Sequence, residues 1–164
     1  MTELVAGQPA LARTGPEAIA ALTEAATRST YYADWMDAEQ HASIARIVDL
    51  AAPACAAADG AHGQFIAAFV DGVFAGFAIA TLHAEDDREL DWLMVHPDFQ
   101  GRGVAVALME AGMAWLGTDR PMWLNVVRHN ERALRFYRRF GFEVDPATSL
   151  ARAIPMHVMR RPPD

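Results

Sequence analysis

The stretch "LDWLMVHPDFQGRGVAVALMEAG", residues 90–112, decides how this chain is to be folded. It opens with an apolar run that ends at Val95, ahead of Pro97, and such a bounded run reads as a strand. It closes in "GVAVALMEAGMAWL", residues 103–116, which is apolar nearly all round and so predicts a buried helix lying against a sheet. Between the two, "HPDFQGRG" places glycines at 101 and 103, where a strand hands over to a helix. A helix start carries unpaired N–H groups and the positive end of the dipole, which together suit an anion, above all a phosphate. Glycines leave no Cβ between such an anion and the amides, and Arg102 can add a counter-charge. On the glycines alone a plain tight corner is an equal reading. Two familiar phosphate loops do not fit: no Lys-Ser/Thr follows a glycine here, and the Gly-x-Gly-x-x-Gly spacing is not met.

Outward from this stretch the periods are clear. Upstream, "QFIAAFV" and "VFAGFAIATL" flank Asp71-Gly72, a hairpin signature in which both turn positions favour positive φ. Further upstream, "GPEAIAALTEAATRS" predicts a helix with Pro16 in its first turn. "DAEQHASIARIVDLAA" predicts a second, capped by Asp34 or Asp37 and ending at Pro53. "LVAGQPA" is a poor candidate first strand, and "ACAAADGAHG" reads as a loop. Downstream, "MWLNVV" is a strand, and "ERALRFYRRF" is an amphipathic helix with Ala133, Phe136, Tyr137 and Phe140 on one face, closed by Gly141. "FEV" and "AIPMHVMR" complete the set. The prediction is an α/β protein, a mixed sheet of about six to seven strands with four helices on its faces, in one domain over residues 1–164.

Composition narrows the class. The chain has 164 residues, 52% of them hydrophobic, enough for one well-buried core. Its net charge is −7, from 14 Lys+Arg against 21 Asp+Glu, which disfavours nucleic acid as a partner. The single Cys55 excludes an internal disulfide framework and suits a reducing compartment. No run approaches the roughly 20 apolar residues of a bilayer span, and the first residues lack a signal-peptide pattern. A cytoplasmic protein without a membrane partner is expected. None of His83, His96 and His129 has metal-ligand spacing with another His or Cys, so no metal is expected.

Gln100-Gly101-Arg102-Gly103-Val104-Ala105 resembles the Gln/Arg-x-x-Gly-x-Gly/Ala signature of the GNAT (GCN5-related) N-acetyltransferases, after a family-like lead-in, "VHPDFQ". "NERALRFYRRFGF", residues 130–142, resembles the family's second motif, Asn-x-x-Ala-x-x-x-Tyr-x-x-x-Gly-Phe. The resemblance covers about residues 89–144 and implies the GNAT fold, with central strands splayed to hold an acyl-coenzyme A. It implies acetyl-CoA as cosubstrate and, as acceptor, a small-molecule or peptide amine. A homodimer is compatible with it.

By this resemblance the backbone amides of Gln100, Gly101, Arg102, Gly103, Val104, Ala105 and Val106 hold the pyrophosphate. Leu93, Met94 and Val95 pair with the pantetheine arm, and one of their N–H groups polarises the thioester carbonyl. Asn130 contacts coenzyme A, and as a residue at a helix start it is also an N-cap. Tyr137 is the general acid that protonates the departing thiolate. From periodicity alone it reads instead as a core aromatic beside Phe136 and Phe140. The base is open. Some members carry a glutamate in the strand after the glycine-loop helix, where this chain has Asn125. Others place it early in the strand before the loop, where Glu89 stands, with Asp91 on the same strand face. Both acids are otherwise solvated residues of a strand end, and a water relay is a third possibility. Tyr31, Tyr32 and Trp35 beside Asp34, Asp37 and Glu39 suit a cationic acceptor or simply a helix start. The missing glutamate at 125 keeps open a second class, a non-catalytic acyl-CoA-binding or interaction module.

Overall fold

The computed structural model describes residues 1–150 and 152–164. Among them seven strands and five helices follow one another as β1 (Thr2–Ala6), α1 (Gly7–Thr14), α2 (Pro16–Thr30), α3 (Ala38–Ala57), β2 (Gly63–Val70), β3 (Val73–Ala84), β4 (Asp87–Val95), α4 (Val104–Leu116), β5 (Met122–Val127), α5 (Glu131–Arg138), β6 (Glu143–Leu150) and β7 (Met156–Arg161). One turn of 3-10 helix, Pro97–Phe99, precedes the glycine turn. The strands form a single sheet in the order β1-β2-β3-β4-β5-β7-β6. Only the β4–β5 pair is parallel.

The hairpin reading holds. Asp71 and Gly72 both take positive φ, 51° and 83°, and join β2 to β3 in a two-residue turn. Asp37 is the cap of α3, where its carboxylate accepts from the Gln40 amide at 2.9 Å and the Gln40 side chain accepts from the Asp37 amide at 3.0 Å.

Three expectations are corrected. The helices number five rather than four, because "LVAGQPA" is a strand only to Ala6 and then turns through Gly7 into α1. The second predicted helix does not stop at Pro53 but runs through it to Ala57, so part of the expected loop at 54–63 is helical. An internal proline costs a helix about 3 kcal/mol. Ile44, Ala51 and Cys55, on both sides of it, are at most 1% exposed, and burial at about 1.5–3 kcal/mol for a large side chain offsets that cost.

Each face of the sheet has its own helices. Ala10 of α1, Ile19, Leu22 and Ala26 of α2, and Ala51 and Cys55 of α3 pack on Phe65, Phe77, Ile79 and Met94. On the other face α4 places Val104 and Leu108 against Ala68 and Ala78. Its Met109 and Leu116 join Leu134 of α5 over Leu90, Leu124 and Val126. Because side chains alternate along a strand, Leu90 and Leu124 face α4 and α5, whereas Glu89, Asp91, Trp123 and Asn125 face the other way.

Candidate active site

The parallel pairing of β4 with β5 is short. It consists of Arg88 with Met122 and Glu89 with Trp123, and beyond these the strands part. A cleft of about 510 Å³ opens there, with Leu93, Met94 and Val95 on one wall and Asn125, Val126 and Val127 on the other. The parting has a local cause in β4. Phe77 pairs with Met94 and Ile79 with Asp91, so three steps along β4 face two along β3. The extra residue is a bulge, and Trp92 absorbs it at φ 52°. Asp91 Oδ1 accepts from the Trp92 amide at 2.7 Å and steadies this conformation.

The glycine turn closes one end of the cleft. Gly101 and Gly103 sit at φ 77° and 80°, where an L-side chain is strained, and a Cβ on either would meet no protein atom within 4 Å. Protein packing therefore does not demand these glycines, and both line the cleft. The amides of Gln100 and Arg102 are used inside the turn, donating to Pro97 O and Phe99 O. Among the described residues, those of Gly101, Gly103, Val104, Ala105 and Val106 donate to no protein acceptor, as the first turn of α4 requires. This is an open anion cradle at a helix start.

The other predicted residues fall as follows. Gln100, Ala105, Val106, Asn130 and Tyr137 line the cleft. Val104 is buried under the sheet, and Arg102 lays its guanidinium over the Phe99 ring at 5.5 Å. Asn130 caps α5, accepting from the Ala133 amide at 3.0 Å. Tyr137 is half-buried, with its ring edge-on to Phe136 and Phe142, so it is both a packed aromatic and a wall of the cleft. Burial, then Tyr31 and Asp91, hold its hydroxyl well above the ordinary 10.0. Tyr31, also on the cleft, is pushed up to about 12 by burial and by Asp91. Both phenols are thus fully protonated at neutral pH.

Glu89 and Asp91 are not solvated strand-end residues. Glu89 is 8% exposed, and its Oε2 lies 2.7 Å from His83 Nε2. Burial raises its carboxyl above the ordinary 4.5, Asp91 raises it further, and the His83 contact works against both. Asp91 is raised chiefly by burial, opposed by the Trp92 amide, Arg152 and His83. The His83 ring stacks on Trp123 at 6.0 Å, and Trp123 Nε1 donates to Asp87 Oδ1 at 2.7 Å. Asp87 and Trp123 line a second cavity of about 440 Å³, together with Asn125 and Arg152.

Sequence reasoning missed several groups. Arg132, Arg135 and Arg139 of α5 and its C-terminal end line the cleft, although the pattern put them on a solvent face. Arg132 also donates to Gln100 Oε1 at 2.9 Å, tying α5 to the glycine turn. His83, which has no metal-ligand spacing, meets Glu89 six residues on across the β3–β4 turn, a contact that depends on the strand register. The aromatic stretch at 29–41 divides: Tyr31 lines the cleft, while Trp35 is exposed and stacks edge-on against His129. Cys55 is buried, its thiol pushed up to about 12 by burial, which removes it as a nucleophile.

A parted parallel pair, a bulge on one strand and a free-amide helix start together frame one cleft in an α/β protein. The sequence pattern of the acetyltransferase (GNAT) family matches residues 19–142, and the chain belongs to that family. It is 38% identical over 79 residues to an uncharacterised N-acetyltransferase of Mycobacterium bovis, covering 46% of this chain and 49% of the relative. It is 34% identical over 93 residues to the streptothricin acetyltransferase of Streptomyces lavendulae, covering 51% and 49%. The chain thus spans about half the length of the curated relatives it matches. The crystal structure of the PaiA N-acetyltransferase from Thermoplasma acidophilum in complex with coenzyme A superposes over 99% of both chains, with a TM-score of 0.73 at 18% identity. No helix among the described residues is long and apolar enough to cross a membrane.

Proposed function

We propose that this chain transfers an acetyl group from acetyl-CoA to a primary amine by direct attack. The observation that carries this reading is the set of free amides at Gly101 and Gly103–Val106, which open on a cleft walled by Tyr137. Those amides take the pyrophosphate, and Arg132, Arg135 and Arg139 add positive charge. Leu93–Val95 offer backbone groups that β5 leaves unpaired, which suits the amides of the pantetheine arm. A β4 amide near the bulge polarises the acyl carbonyl. The similarity to a fold solved with coenzyme A and to a relative named as an N-acetyltransferase supports the donor and a nitrogen acceptor.

The proton transfers follow from the environments. The acceptor's ammonium must lose a proton, and Glu89 or Asp91, with carboxyls raised by burial, is a better base than a solvated carboxylate. His83, with its side chain 42% exposed, connects Glu89 to solvent. The departing thiolate needs a proton, and Tyr137 holds one. The same burial that raises the phenol also raises the thiol, so transfer between them keeps roughly its solution balance.

The test is thiol release from acetyl-CoA over a panel of polyamines, streptothricin, aminoglycosides, amino acids and peptides. Tyr137→Phe is expected to lower kcat by about 10²–10⁴-fold with coenzyme A affinity intact. A variant as fast as wild type removes the acid from the reading. Asn125, standing where some members carry the base, favours a second reading, a non-catalytic acyl-CoA-binding module. Coenzyme A binding without acetylation of any amine would establish it.

A further inference from the structure

One side chain lines both cavities. Asn125 lines the cleft between the parted strands and also the second cavity on the far side of β5. Its Oδ1 is buried without a hydrogen-bond partner, alone among side-chain atoms of the described residues. Native proteins leave few such atoms, and each costs stability.

Packing does not account for it. Asparagine is a poor strand residue, and Val127, next on the same face, fills its place as an apolar side chain among Met36, Ile44 and Ile154. No donor can come from β4, because the β4–β5 pairing ends at Trp123. The β7 ladder engages only the Asn125 main chain, opposite Val158.

An orphaned oxygen calls for an N–H or O–H. Period-two alternation puts Asn125 on the sheet face of Glu89, Asp91 and Trp123, opposite α4 and α5. Glu89 and Asp91 line neither cavity, but the charge of Asp91 is felt by Tyr31 and Tyr137 on the cleft wall, which favours a cationic nitrogen over a neutral hydroxyl there. On the reading of function above, we infer that Asn125 is the docking group for the acceptor. Its Oδ1 takes an N–H of the incoming primary ammonium between the cleft and the second cavity, both of which Asn125 lines. The amide holds the nitrogen without titrating and leaves proton removal to Glu89 or Asp91. The same position that lacks the family's alternative base thus acts by binding.

The experiment compares Asn125→Leu and Asn125→Ala with wild type in the full chain, using whichever of spermine, streptothricin, glycinamide and a free-N-terminus peptide the wild type acetylates fastest. Both variants are expected to lose about ten- to a hundredfold in kcat/KM for that amine, mainly through KM. Coenzyme A affinity by calorimetry is expected to stay within about twofold. The melting temperature of unliganded Asn125→Leu is expected to equal or exceed that of wild type, because the orphan is gone. Asn125→Ala adds no bulk at the position, so its agreement with Leu removes steric blockage as the cause. An unchanged amine KM in both variants overturns the inference. A fall in coenzyme A affinity with amine KM unchanged also overturns it and gives the oxygen to a pantetheine amide instead. If the wild type acetylates no amine, the reading of function falls and this inference falls with it. An active wild type with indifferent variants sinks this inference alone.

Discussion

The two walls of the cleft are built by different means. The β4 wall works through its main chain: a bulge at Trp92, bare amides after the glycines, and an unpaired edge over Leu93–Val95. The β5 wall works through side chains. Its edge is equally unpaired, but what it presents is the amide of Asn125 with an empty oxygen. Main-chain recognition suits the part of a ligand that never varies, since it depends on backbone shape rather than on side-chain identity. Side-chain recognition suits the part that differs between related proteins. On the proposed function, the contrast gives the donor to the β4 side and selection of the acceptor to the β5 side.

The harshest way to break this division is to put a charge on the main-chain wall. Gly103→Glu adds a carboxylate at an open position beside the free amides. A like charge about 4 Å from a phosphate costs about 4 kcal/mol at an effective dielectric of 20, roughly a thousandfold in affinity. Coenzyme A binding by calorimetry should therefore fall by at least about a hundredfold even after screening. Gly103→Ala carries the same strain at φ 80° without the charge and should lose far less. Equal affinity of the Glu variant and wild type would move the phosphates elsewhere.

The acceptor side breaks through its proton chemistry. Glu89→Gln keeps an oxygen for His83 Nε2 but cannot take a proton. If Glu89 is the base, kcat falls by about a hundredfold, the lower end for such groups because Asp91 lies beside it. Wild-type kcat/KM should rise with pH through an apparent value above the ordinary 4.5, and the variant should lose that limb. The sign for stability is fixed by the same shift. A carboxyl raised in the folded state favours folding while protonated, and that contribution is lost as pH climbs from 4.5 through the raised value. The groups facing Glu89 are His83 on β3 and Asp91 and Asp87 on β4. The melting temperature of Glu89→Gln should therefore gain on wild type as pH rises across that window. Activity that survives the change would shift the base to Asp91 or to water.

How much of this was legible in the sequence follows the same division. The glycine turn, its strand and its helix form one continuous segment, so their local signals add up, and the family motifs lie there too. The Asp71-Gly72 turn is equally local and was readable to the residue. The contacts between side chains of different strands were not. Even His83 and Glu89, six residues apart across the β3–β4 turn, do not announce each other, because their meeting depends on the register of that pair. Nothing in "MWLNVV" says that Asn125 Oδ1 is left without a donor, because that follows from how far β5 leaves β4. The arginines of α5 misled for a related reason: periodicity sorts a helix into apolar and polar faces but does not say that a ligand cleft borders the polar one. Pro53 misled because a local breaker rule yields to burial on both sides of it.

The mildest change tests how far the acceptor side reaches. Asp37 and Gln40 cap α3 reciprocally, and Gln40 Nε2 also donates to Ala153 O at 3.1 Å, in the connection between β6 and β7. Arg152, in that connection, lines the second cavity. Asp37→Ala removes the cap at a cost of about 1 kcal/mol, which lowers the melting temperature by about 2–4 °C in a chain of this size. Coenzyme A affinity should not move, because the side-chain hydrogen bonds that tie Gln100 of the glycine turn to other elements run to Ser29 of α2 and Arg132 of α5. If the connection is held in place by Gln40, the KM of the amine rises modestly alongside the lost stability, and Gln40→Ala reproduces that rise with less destabilisation. A stability loss with an unmoved amine KM would confine the acceptor side to β4, β5 and β7. A change in coenzyme A affinity would mean that the two walls do not act separately.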